Sequence, residues 1–415
     1  MSLSPLRCLS QSDEHIVLST ECSFLALGTD ISPRNGIGSF TTQFLAGLGR
    51  INPGRLGTAL VLSTSPDLKI PQGWSLCRAH GRLRYAMKAM VLARRRRPSE
   101  ILVFHLSIMP VAFIAAWLAS AQVTLVAHGW EIIFNRRKVD RWCGYRADRI
   151  IAVSRMTALE VERLFRDKRA RCFGEVQVLH PTWDHHNSTS DQTRRFAGRE
   201  AFGFAQDEVV MLTVGRMDPT ERCKGHDRVL DVLPALLASN PSLRYLIVGE
   251  GKDQTRLVER SEALGLADRV VFAGCVENVA DCFAACDLYV MPSTQEGFGI
   301  VFLEALASGR PVVAGGIDGS IEAVLWGELG FLCDPLDPRS VEETIRKAIN
   351  ALDGPDPRVD ASSLQSQVEM RFGTAAFDQN LTVLFGLRDN NFDSTNAKRD
   401  SQRTEGLDEI PKVSH

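Results

Sequence analysis

The segment DLYVMPSTQEGFGIVFLEALASGRPVVAG, residues 287–315, indicates the fold class of the chain. It opens with a short apolar run typical of a buried strand, passes through a glycine-containing loop into a helical pattern, and returns to an apolar run after Gly309. Glycine is common just past a helix end, because it adopts the left-handed backbone there at little cost. The segment therefore predicts a strand, a helix and a second strand parallel to the first.

Short β-branched runs alternate with amphipathic stretches along most of the 415 residues. The first run is HIVLST at residues 15–20, and a clear helical stripe occurs in HDRVLDVLPALLASN at residues 226–240. Such alternation indicates parallel sheets covered by helices, and the chain exceeds what one hydrophobic core usually serves. We therefore expect an α/β protein with two doubly wound, Rossmann-like parallel-sheet domains that face a cleft.

A polar stretch without sustained periodicity, residues 180–200, is the best candidate for the domain boundary. It predicts an N-terminal domain at residues 1–188 and a C-terminal domain at residues 189–372. A last amphipathic helix is predicted at residues 373–388. Residues 389–415 contain few apolar side chains and are predicted to be disordered.

Composition limits the partners and compartments that we expect. The net charge of -2 gives no electrostatic support for nucleic-acid binding. The ten cysteines show no paired metal-ligand spacing, which favours a reduced cytoplasmic protein without a metal site. No secretory signal is expected, and the most apolar segment, residues 109–128, is too short to span a membrane because Ser120 and Gln122 interrupt it.

Ligands of doubly wound sheets bind beyond the carboxyl ends of the strands, so residues that follow predicted strands are candidates for a site. Glu296 lies in such a strand-to-helix loop, and Glu304 is predicted about two turns into the helix. Unpaired amides at a helix start bind anions such as phosphate, and glycine lets a ligand approach the backbone. The residues that would form this anion site are Phe298, Gly299, Ile300 and Val301.

The two glutamates indicate what flanks the phosphate. A carboxylate would repel a bound phosphate, whereas it accepts hydrogen bonds from hydroxyl groups on either side. A ligand with hydroxyls on both sides of a diphosphate is a nucleotide sugar, in which Glu304 would bind the ribose and Glu296 the transferred sugar. The competing interpretation is that Glu296 caps the helix and Glu304 is solvated.

Two cations could neutralise the same diphosphate. Gly215 turns the chain after the strand VVMLTV, and Arg216 and Lys224 follow in the loop. The guanidinium can bind two oxygens at once, and the ammonium acts as a compact point charge. No metal or other cofactor is expected, since no Asp-x-Asp motif follows a strand end. The alternative is an ordinary solvated loop.

Other strand ends add candidate contacts. Gly249 follows a strand, but Gln254 breaks the dinucleotide motif at its third glycine, so this turn is expected only to support a nucleotide pocket. Val276 follows a further strand, near the expected base. In the N-terminal half, Gly38 opens a helix, and His128 follows a strand where imidazole could bind a sugar hydroxyl or a developing charge. A purely structural role is the alternative for His128.

A basic amphipathic helix is predicted at residues 82–98. It contains no acid, and such a helix suits an anionic membrane surface or a diphosphate-linked lipid acceptor. A solvated helix end packed on the N-terminal sheet is an equal alternative. The basic residues are Arg82, Arg84, Lys88, Arg94, Arg95, Arg96 and Arg97.

Four segments match one known family: VAHGWE at 126–131, GRMDPTERCKGHD at 215–227, VGEG at 248–251, and DLYVMPSTQEGFGIVFLEALASGRPVVAGGIDGS at 287–320. Together they resemble the retaining glycosyltransferases of family four, which have the GT-B fold. The resemblance implies that the N-terminal domain binds the acceptor and the C-terminal domain binds the nucleotide sugar. It also implies that the last helix crosses back onto the N-terminal domain.

The resemblance implies roles for single residues. Glu296 and Glu304 match the two glutamates of the family's E-x7-E motif, which contact the donor sugar and the ribose. Arg216 and Lys224 match its diphosphate-binding pair, and His128 matches a histidine near the sugar.

The chain also departs from the family pattern. It has VLHPTWD at 178–184 where many members have Val-Ile-Pro-Asn-Gly-Val-Asp, and the glycine loop that contains Gly38 is one glycine short. The GGIDGSIEAV segment most resembles bacterial exopolysaccharide transferases, several of which use GDP-mannose.

The function implied is that of a retaining hexosyltransferase of exopolysaccharide synthesis. It would move a hexose from GDP-mannose or a UDP-hexose to a glycan or polyprenyl-diphosphate-linked acceptor, with departure and attack on one face of the sugar. The expected location is the cytoplasm, peripheral to the inner face of the cytoplasmic membrane. The alternatives are a sugar-nucleotide 2-epimerase and a non-catalytic nucleotide-sugar-binding protein of the same fold.

Overall fold

A computed structural model of the protein describes residues 24–29, 31, 35–54, 57–62, 70–135, 137–165, 176–183 and 192–386. The predicted strand at 15–20, the predicted domain boundary at 188/189 and the predicted tail at 389–415 lie outside the described residues. The last two residues of the predicted helix at 373–388 also lie outside them.

The first sheet consists of seven strands: β1 (Phe24–Gly28), β2 (Gly57–Val61), β3 (Trp74–Arg78), β4 (Glu100–Val103), β5 (Gln122–Ala127), β6 (Arg149–Ala152) and β7 (Gln177–Val178). They lie in the order β3-β2-β1-β4-β5-β6-β7, and all neighbouring strands are parallel. Every residue of the central strand β1 is buried, as expected for a parallel sheet that is covered on both faces.

The second sheet consists of six strands: β8 (Val209–Val214), β9 (Leu243–Val248), β10 (Val270–Gly274), β11 (Leu288–Met291), β12 (Val312–Gly315) and β13 (Phe331–Cys333). Their order is β10-β9-β8-β11-β12-β13, again with parallel neighbours. The first six strands of the first sheet follow the same order, which is that of doubly wound nucleotide-binding folds. The predicted fold class is confirmed.

Fifteen helices connect and cover the strands in the described part of the chain: α1 (Gly36–Ile51), α2 (Arg82–Arg96), α3 (Met109–Ala119), α4 (Trp130–Phe134), α5 (Lys138–Gly144), α6 (Arg155–Phe165), α7 (Gln192–Phe202), α8 (His226–Ser239), α9 (Gln254–Ala263), α10 (Val279–Ala285), α11 (Ile300–Ala307), α12 (Ser320–Ala323), α13 (Pro338–Ala351), α14 (Ala361–Phe372) and α15 (Thr374–Leu384). The helical stripe predicted in α8 is the face that the helix buries, with Val229, Leu230, Leu233 and Leu236.

The last helix, α15, packs on α1, the first helix of the N-terminal sheet. Arg50 of α1 donates two hydrogen bonds to Asp378, at 2.6 and 2.8 Å. Gly47 allows the close approach, because an ideal Cβ there would lie 2.5 Å from Cδ1 of Leu381. The end of the described chain is therefore attached to the N-terminal sheet.

Candidate active site between the two sheets

A cavity of about 680 Å³ lies where the strand order of each sheet reverses. The reversal falls between β1 and β4 in the first sheet and between β8 and β11 in the second, and such points are where doubly wound sheets bind ligands. The loops that follow these four strands contribute to the wall, with Thr29 after β1, His105 after β4, Arg216 after β8 and Glu296 after β11.

The cavity brings together ten of the predicted site residues from both halves of the chain. They are His128, Gly215, Arg216, Lys224, Glu296, Phe298, Gly299, Ile300, Val301 and Glu304. The fold therefore brings residues that are far apart in the sequence to the same cavity. His128 and Glu304, for example, lie 176 positions apart.

Lys224 and Glu296 form an ion pair in this cavity. The lysine Nζ lies 2.5 Å from Oε1 of the glutamate, and both side chains are largely buried. Burial alone would lower the pKa of Lys224, but the Glu296 carboxylate outweighs burial and raises this pKa above its ordinary value. The lysine is therefore a fully charged cation, and the carboxylate that holds it is the predicted sugar ligand.

Arg216 is the second cation of the wall and is the more accessible one. Its side chain is 68% exposed and forms an ion pair with Glu221 at the mouth of the cavity. Exposed ion pairs contribute little to stability, so this guanidinium can exchange its partner at low cost.

The helix α11 begins at the cavity as predicted. Gly299 is its N-cap with a φ of 86°, in the left-handed region that favours glycine, and Gly309 after its end has a φ of 67°. Glu296 does not cap this helix, since its carboxylate contacts Lys224 and α11 has no side-chain cap. Glu304 is the fifth residue of α11, little more than one turn into the helix, so the predicted distance of two turns was wrong.

Asp318 holds the loop that carries Glu296, and sequence reasoning missed it. Its Oδ2 accepts hydrogen bonds from Glu296 N at 2.8 Å and from Ser293 Oγ at 2.7 Å. Its Oδ1 accepts from the backbone N of Ser320 at 2.9 Å and from the Ser320 hydroxyl. Burial raises the pKa of Asp318 to about 7, although these hydrogen bonds oppose the shift.

The opposite wall, from the N-terminal half, carries His128 and two further polar residues that sequence reasoning missed, His105 and Glu131. The backbone N of His128 donates a hydrogen bond to Oε1 of Glu131 at 2.6 Å. The imidazole packs edge to face with the ring of Phe40, and the two ring centroids lie 5.2 Å apart. Burial, with a smaller contribution from His105, lowers the pKa of His128 to about 3, so the ring is neutral. Burial raises the pKa of Glu131 to about 7.

The two walls touch directly beside the cavity. An ideal Cβ at Gly297 would lie 1.9 Å from the carbonyl oxygen of His128, so only glycine fits at this contact. Thr157 Oγ1 also donates to the carbonyl oxygen of Gly297, at 3.3 Å. The loop that carries Glu296 therefore rests on the strand end that carries His128.

A second contact between the sheets lies at the start of α6. The buried carboxylate of Glu322 accepts hydrogen bonds from the backbone N of Arg155 at 2.9 Å and of Met156 at 3.0 Å. His180 Nε2 lies 2.9 Å from the same carboxylate, and its ring stacks on Phe298 at 5.4 Å. His180 belongs to the VLHPTWD segment in which the chain departs from the family pattern.

Three predicted donor contacts do not line the cavity: Gly38, Gly249 and Val276. The amide of Gly38 donates to Oδ1 of Asn35 at 2.7 Å as part of the α1 cap, and Gly36 lines the wall in its place. Gly249 has a φ of 131°, and an ideal Cβ there would lie 2.1 Å from the carbonyl oxygen of Gly215. It thus shapes the turn beside the cavity.

The predicted basic helix is α2, which contains six of the seven basic residues and has Arg97 as its C-cap, and all seven lie away from the cavity. It buries Tyr85, Ala89 and Ala93 against the N-terminal sheet. All the basic side chains except the half-buried Arg96 are exposed. The exposed apolar residues of α2 and of α3, which packs beside it, are Leu83, Met87, Val91, Ile114 and Trp117.

No group of three or more His, Cys, Asp or Glu side chains in the described ranges is arranged to hold a metal ion. No described helix combines the length and apolarity that crossing a bilayer requires.

Residues 195–356 match the family "Glycosyl transferases group 1". The chain is 35% identical over 215 residues to the D-inositol 3-phosphate glycosyltransferase of Streptomyces avermitilis, which covers 48% of this chain and 44% of that enzyme. It is 32% identical over 229 residues to the GDP-mannose-dependent alpha-(1-6)-phosphatidylinositol monomannoside mannosyltransferase of Mycolicibacterium smegmatis, covering 52% of this chain and 57% of that enzyme. The chain thus spans about half the length of these curated relatives.

The fold is similar to that of HepE from Anabaena, whose crystal structure contains UDP and glucose. The TM-score is 0.73 at 22% identity, over 88% of this chain and the whole of HepE, so this likeness concerns the fold alone. The family resemblance inferred from the motifs is confirmed for residues 195–356, which match the group 1 glycosyltransferases, and the chain has the fold of the GT-B glycosyltransferases.

Proposed function

We propose that the protein is a retaining glycosyltransferase that moves a hexose from a nucleoside-diphosphate sugar to a glycan or lipid-linked acceptor. The observation that carries the proposal is the convergence of Arg216, Lys224, Glu296, Glu304 and the start of α11 on one cavity. The names of the relatives support the donor class, since one is GDP-mannose-dependent, and HepE was crystallised with UDP and glucose.

In the proposed complex the diphosphate lies at the amino end of α11, whose unpaired amides and dipole favour an anion. Lys224 moves from Glu296 to the phosphate oxygens, and Arg216 leaves Glu221 for the same group. Glu296 is then free to accept a hydrogen bond from the transferred sugar, while Glu304 binds the ribose. The donor thus replaces two ion pairs of the cavity, Lys224–Glu296 and Arg216–Glu221, with four interactions.

The proposed chemistry follows from where charge develops. As the bond to the sugar breaks, negative charge builds on the leaving diphosphate, and Arg216 and Lys224 stabilise it more strongly than they stabilise the bound donor. Glu296 is committed to Lys224 or to hydroxyl groups, so it is not available as a nucleophile on the far face of the sugar. We therefore favour departure and attack on one face, with the diphosphate accepting the acceptor's proton.

The proposal extends to the acceptor and to location. The exposed basic and apolar side chains of α2 suit a protein that works at an anionic membrane surface, where a polyprenyl-diphosphate-linked acceptor would be found. Peripheral attachment to the inner face of the cytoplasmic membrane, and a role in exopolysaccharide synthesis, are parts of this proposal. Binding to lipid vesicles tests whether α2 contacts a membrane.

A thermal-shift panel of GDP-sugars and UDP-sugars tests donor binding, because a ligand that binds only the folded protein raises its melting temperature. We expect a clear shift with one nucleotide sugar, reduced in Glu304→Ala. The control is Glu343→Ala, which changes an exposed glutamate of α13 outside the cavity and should leave the shift unchanged. No shift of the wild type with any nucleotide sugar would contradict the proposal.

Product analysis with the donor alone separates the transferase from a 2-epimerase. Slow hydrolysis that releases the sugar unepimerised is the outcome expected of a transferase without acceptor. An epimerised sugar would contradict the transferase proposal.

A further inference from the structure

Each wall of the cavity contains one buried acid that holds the backbone of a predicted site residue. On the C-terminal wall, Asp318 accepts the backbone N–H of Glu296 at 2.8 Å. On the N-terminal wall, Glu131 accepts the backbone N–H of His128 at 2.6 Å. Both acids are 6% exposed. The two carboxyl groups are alike in burial and in this backbone contact, but of the two only Glu131 lines the cavity.

The two acids differ in their second oxygen. Both oxygens of Asp318 accept hydrogen bonds, from Ser293, Glu296 and Ser320. Oε2 of Glu131 is buried and has no hydrogen-bond partner among the described residues. A buried polar atom without a partner is energetically costly, which is a reason to expect a ligand for it. The hydrogen bonds of Asp318 are those of a structural residue. Oε2 of Glu131, in contrast, can still accept a hydrogen bond from a ligand.

A second unpartnered atom lies on the same wall. His128 donates one ring N–H to the carbonyl oxygen of Phe104, which leaves Nε2 as a hydrogen-bond acceptor in the neutral ring. This Nε2 is buried and has no partner within the described part of the chain. Since burial lowers the pKa of His128 to about 3, the acceptor persists at neutral pH.

The chemistry of these two atoms selects the ligand group. Glu131 and His128 both line the cavity; the neutral imidazole accepts a hydrogen bond through Nε2, and the Glu131 carboxyl, whose pKa burial raises to about 7, accepts one through Oε2 when it is ionised. A phosphate has no hydrogen to donate and would be repelled by the carboxylate. A hydroxyl group donates a hydrogen and carries no charge, so it matches both atoms.

We propose that the free carboxyl oxygen of Glu131 binds a hydroxyl group of the hexose that enters the cavity, beside His128. This inference rests on the proposed function for the presence of a hexose, and it adds a sugar ligand on the N-terminal wall opposite Glu296. Glu131 is then a substrate-binding residue, whose other oxygen positions the backbone of His128.

The variant Glu131→Gln tests this role. The amide oxygen of glutamine can still accept the N–H of His128, which leaves an NH2 group in place of the free oxygen. The matched control is Glu100→Gln, which changes a buried glutamate at the start of β4 that accepts the hydroxyl hydrogen of Thr124. Binding of UDP, GDP, UDP-glucose, GDP-mannose, glucose and mannose is measured for both variants and the wild type.

Glu131→Gln is expected to bind UDP and GDP as the wild type does, and to bind hexose-containing probes about tenfold more weakly, as the loss of a hydrogen bond to a charged group predicts. Weaker binding of the nucleotide sugars assigns the hydroxyl to the donor. Weaker binding of free hexose alone assigns it to the acceptor. Glu100→Gln is expected to bind every probe like the wild type.

Two outcomes would overturn the inference: unchanged binding of every probe by folded Glu131→Gln, or an equal loss for UDP and GDP, which indicates a structural role. A different result would contradict the proposed function without contradicting the role of Glu131. A wild type that binds hexoses, with Glu131→Gln weakened, but binds no nucleotide would contradict the transferase proposal and leave the Glu131 site standing.

Discussion

The two walls of the cavity are built from sheets with the same strand order, yet they carry different chemistry. The C-terminal wall has charged pairs, Lys224 with Glu296 and Arg216 with Glu221. The N-terminal wall has neutral imidazole, small polar side chains and one buried acid, Glu131. The strand order determines where the cavity lies, and the loops after the strands determine what it can bind.

Because their chemistry differs, we expect the two walls to bind different parts of the donor. Charges that are already paired with each other in the cavity can exchange those partners for a charged ligand, which suits a diphosphate that binds and leaves. Neutral acceptors on the opposite wall suit hydroxyl groups. The C-terminal wall should therefore dominate the rate, and the N-terminal wall should contribute to sugar binding.

The largest effect is expected from Lys224→Met, which removes the buried cation of the C-terminal wall. Loss of one preorganised group that stabilises developing charge lowers turnover about 100-fold or more. The variant also leaves the Glu296 carboxylate unpaired, so we expect reduced stability as well. Steady-state sugar transfer and thermal unfolding measure the two effects.

The double variant Lys224→Met/Glu296→Gln separates stability from chemistry, because it removes the unpaired charge; it should regain melting temperature without regaining activity. Arg222→Met is the matched control, since Arg222 and Lys224 lie in the same 3₁₀ helix, Pro219–Lys224, but Arg222 pairs with Asp253 outside the cavity. Full turnover by Lys224→Met would show that the charged wall does not carry the reaction.

The two walls also differ in how far the sequence predicted them. Most of the C-terminal wall lies in one strand-loop-helix segment, so local signals such as Gly299 and Gly309 located its residues correctly. Asp318 was missed because its role depends on a contact across 22 positions with Glu296, which no local pattern shows. Glu131 was missed because an oxygen without a partner is visible only in three dimensions.

Three strands, β1, β3 and β13, contain no β-branched residue and so lack the β-branched runs from which the sequence predicts strands. β1 has the sequence FLALG, which lacks β-branched residues, and β3 is only partly buried at the edge of its sheet. β13 has three residues. Strand propensity is weak evidence when the neighbours in the sheet decide stability.

An intermediate effect is expected from Gly297→Ala, which acts on the contact between the walls. A Cβ at this position would lie 1.9 Å from the carbonyl oxygen of His128, so the walls must separate. Small displacements of reacting groups lower rates strongly, and we expect turnover to fall about tenfold. Binding of UDP or GDP should change little, because the charged wall keeps its own contacts.

Gly54→Ala is the control for Gly297→Ala, since an added Cβ there meets nothing within 4 Å. Equal kcat values for the wild type and Gly297→Ala would mean that the observed contact between the walls is not needed for the reaction.

The smallest effect is expected from the exposed basic residues of α2, which lie on the surface of the N-terminal half, away from the charged wall of the cavity. One Lys or Arg near an anionic bilayer contributes about 1 kcal/mol, so Arg95→Ser should weaken binding to phosphatidylserine-containing vesicles about fivefold. The loss should shrink at high salt because exposed charges are screened. Vesicle sedimentation measures it, with Arg371→Ser, an exposed arginine of α14, as the matched control. Equal binding of the wild type to neutral and anionic vesicles would remove the basis for a membrane role of α2, and would leave the assignment of the cavity walls unchanged.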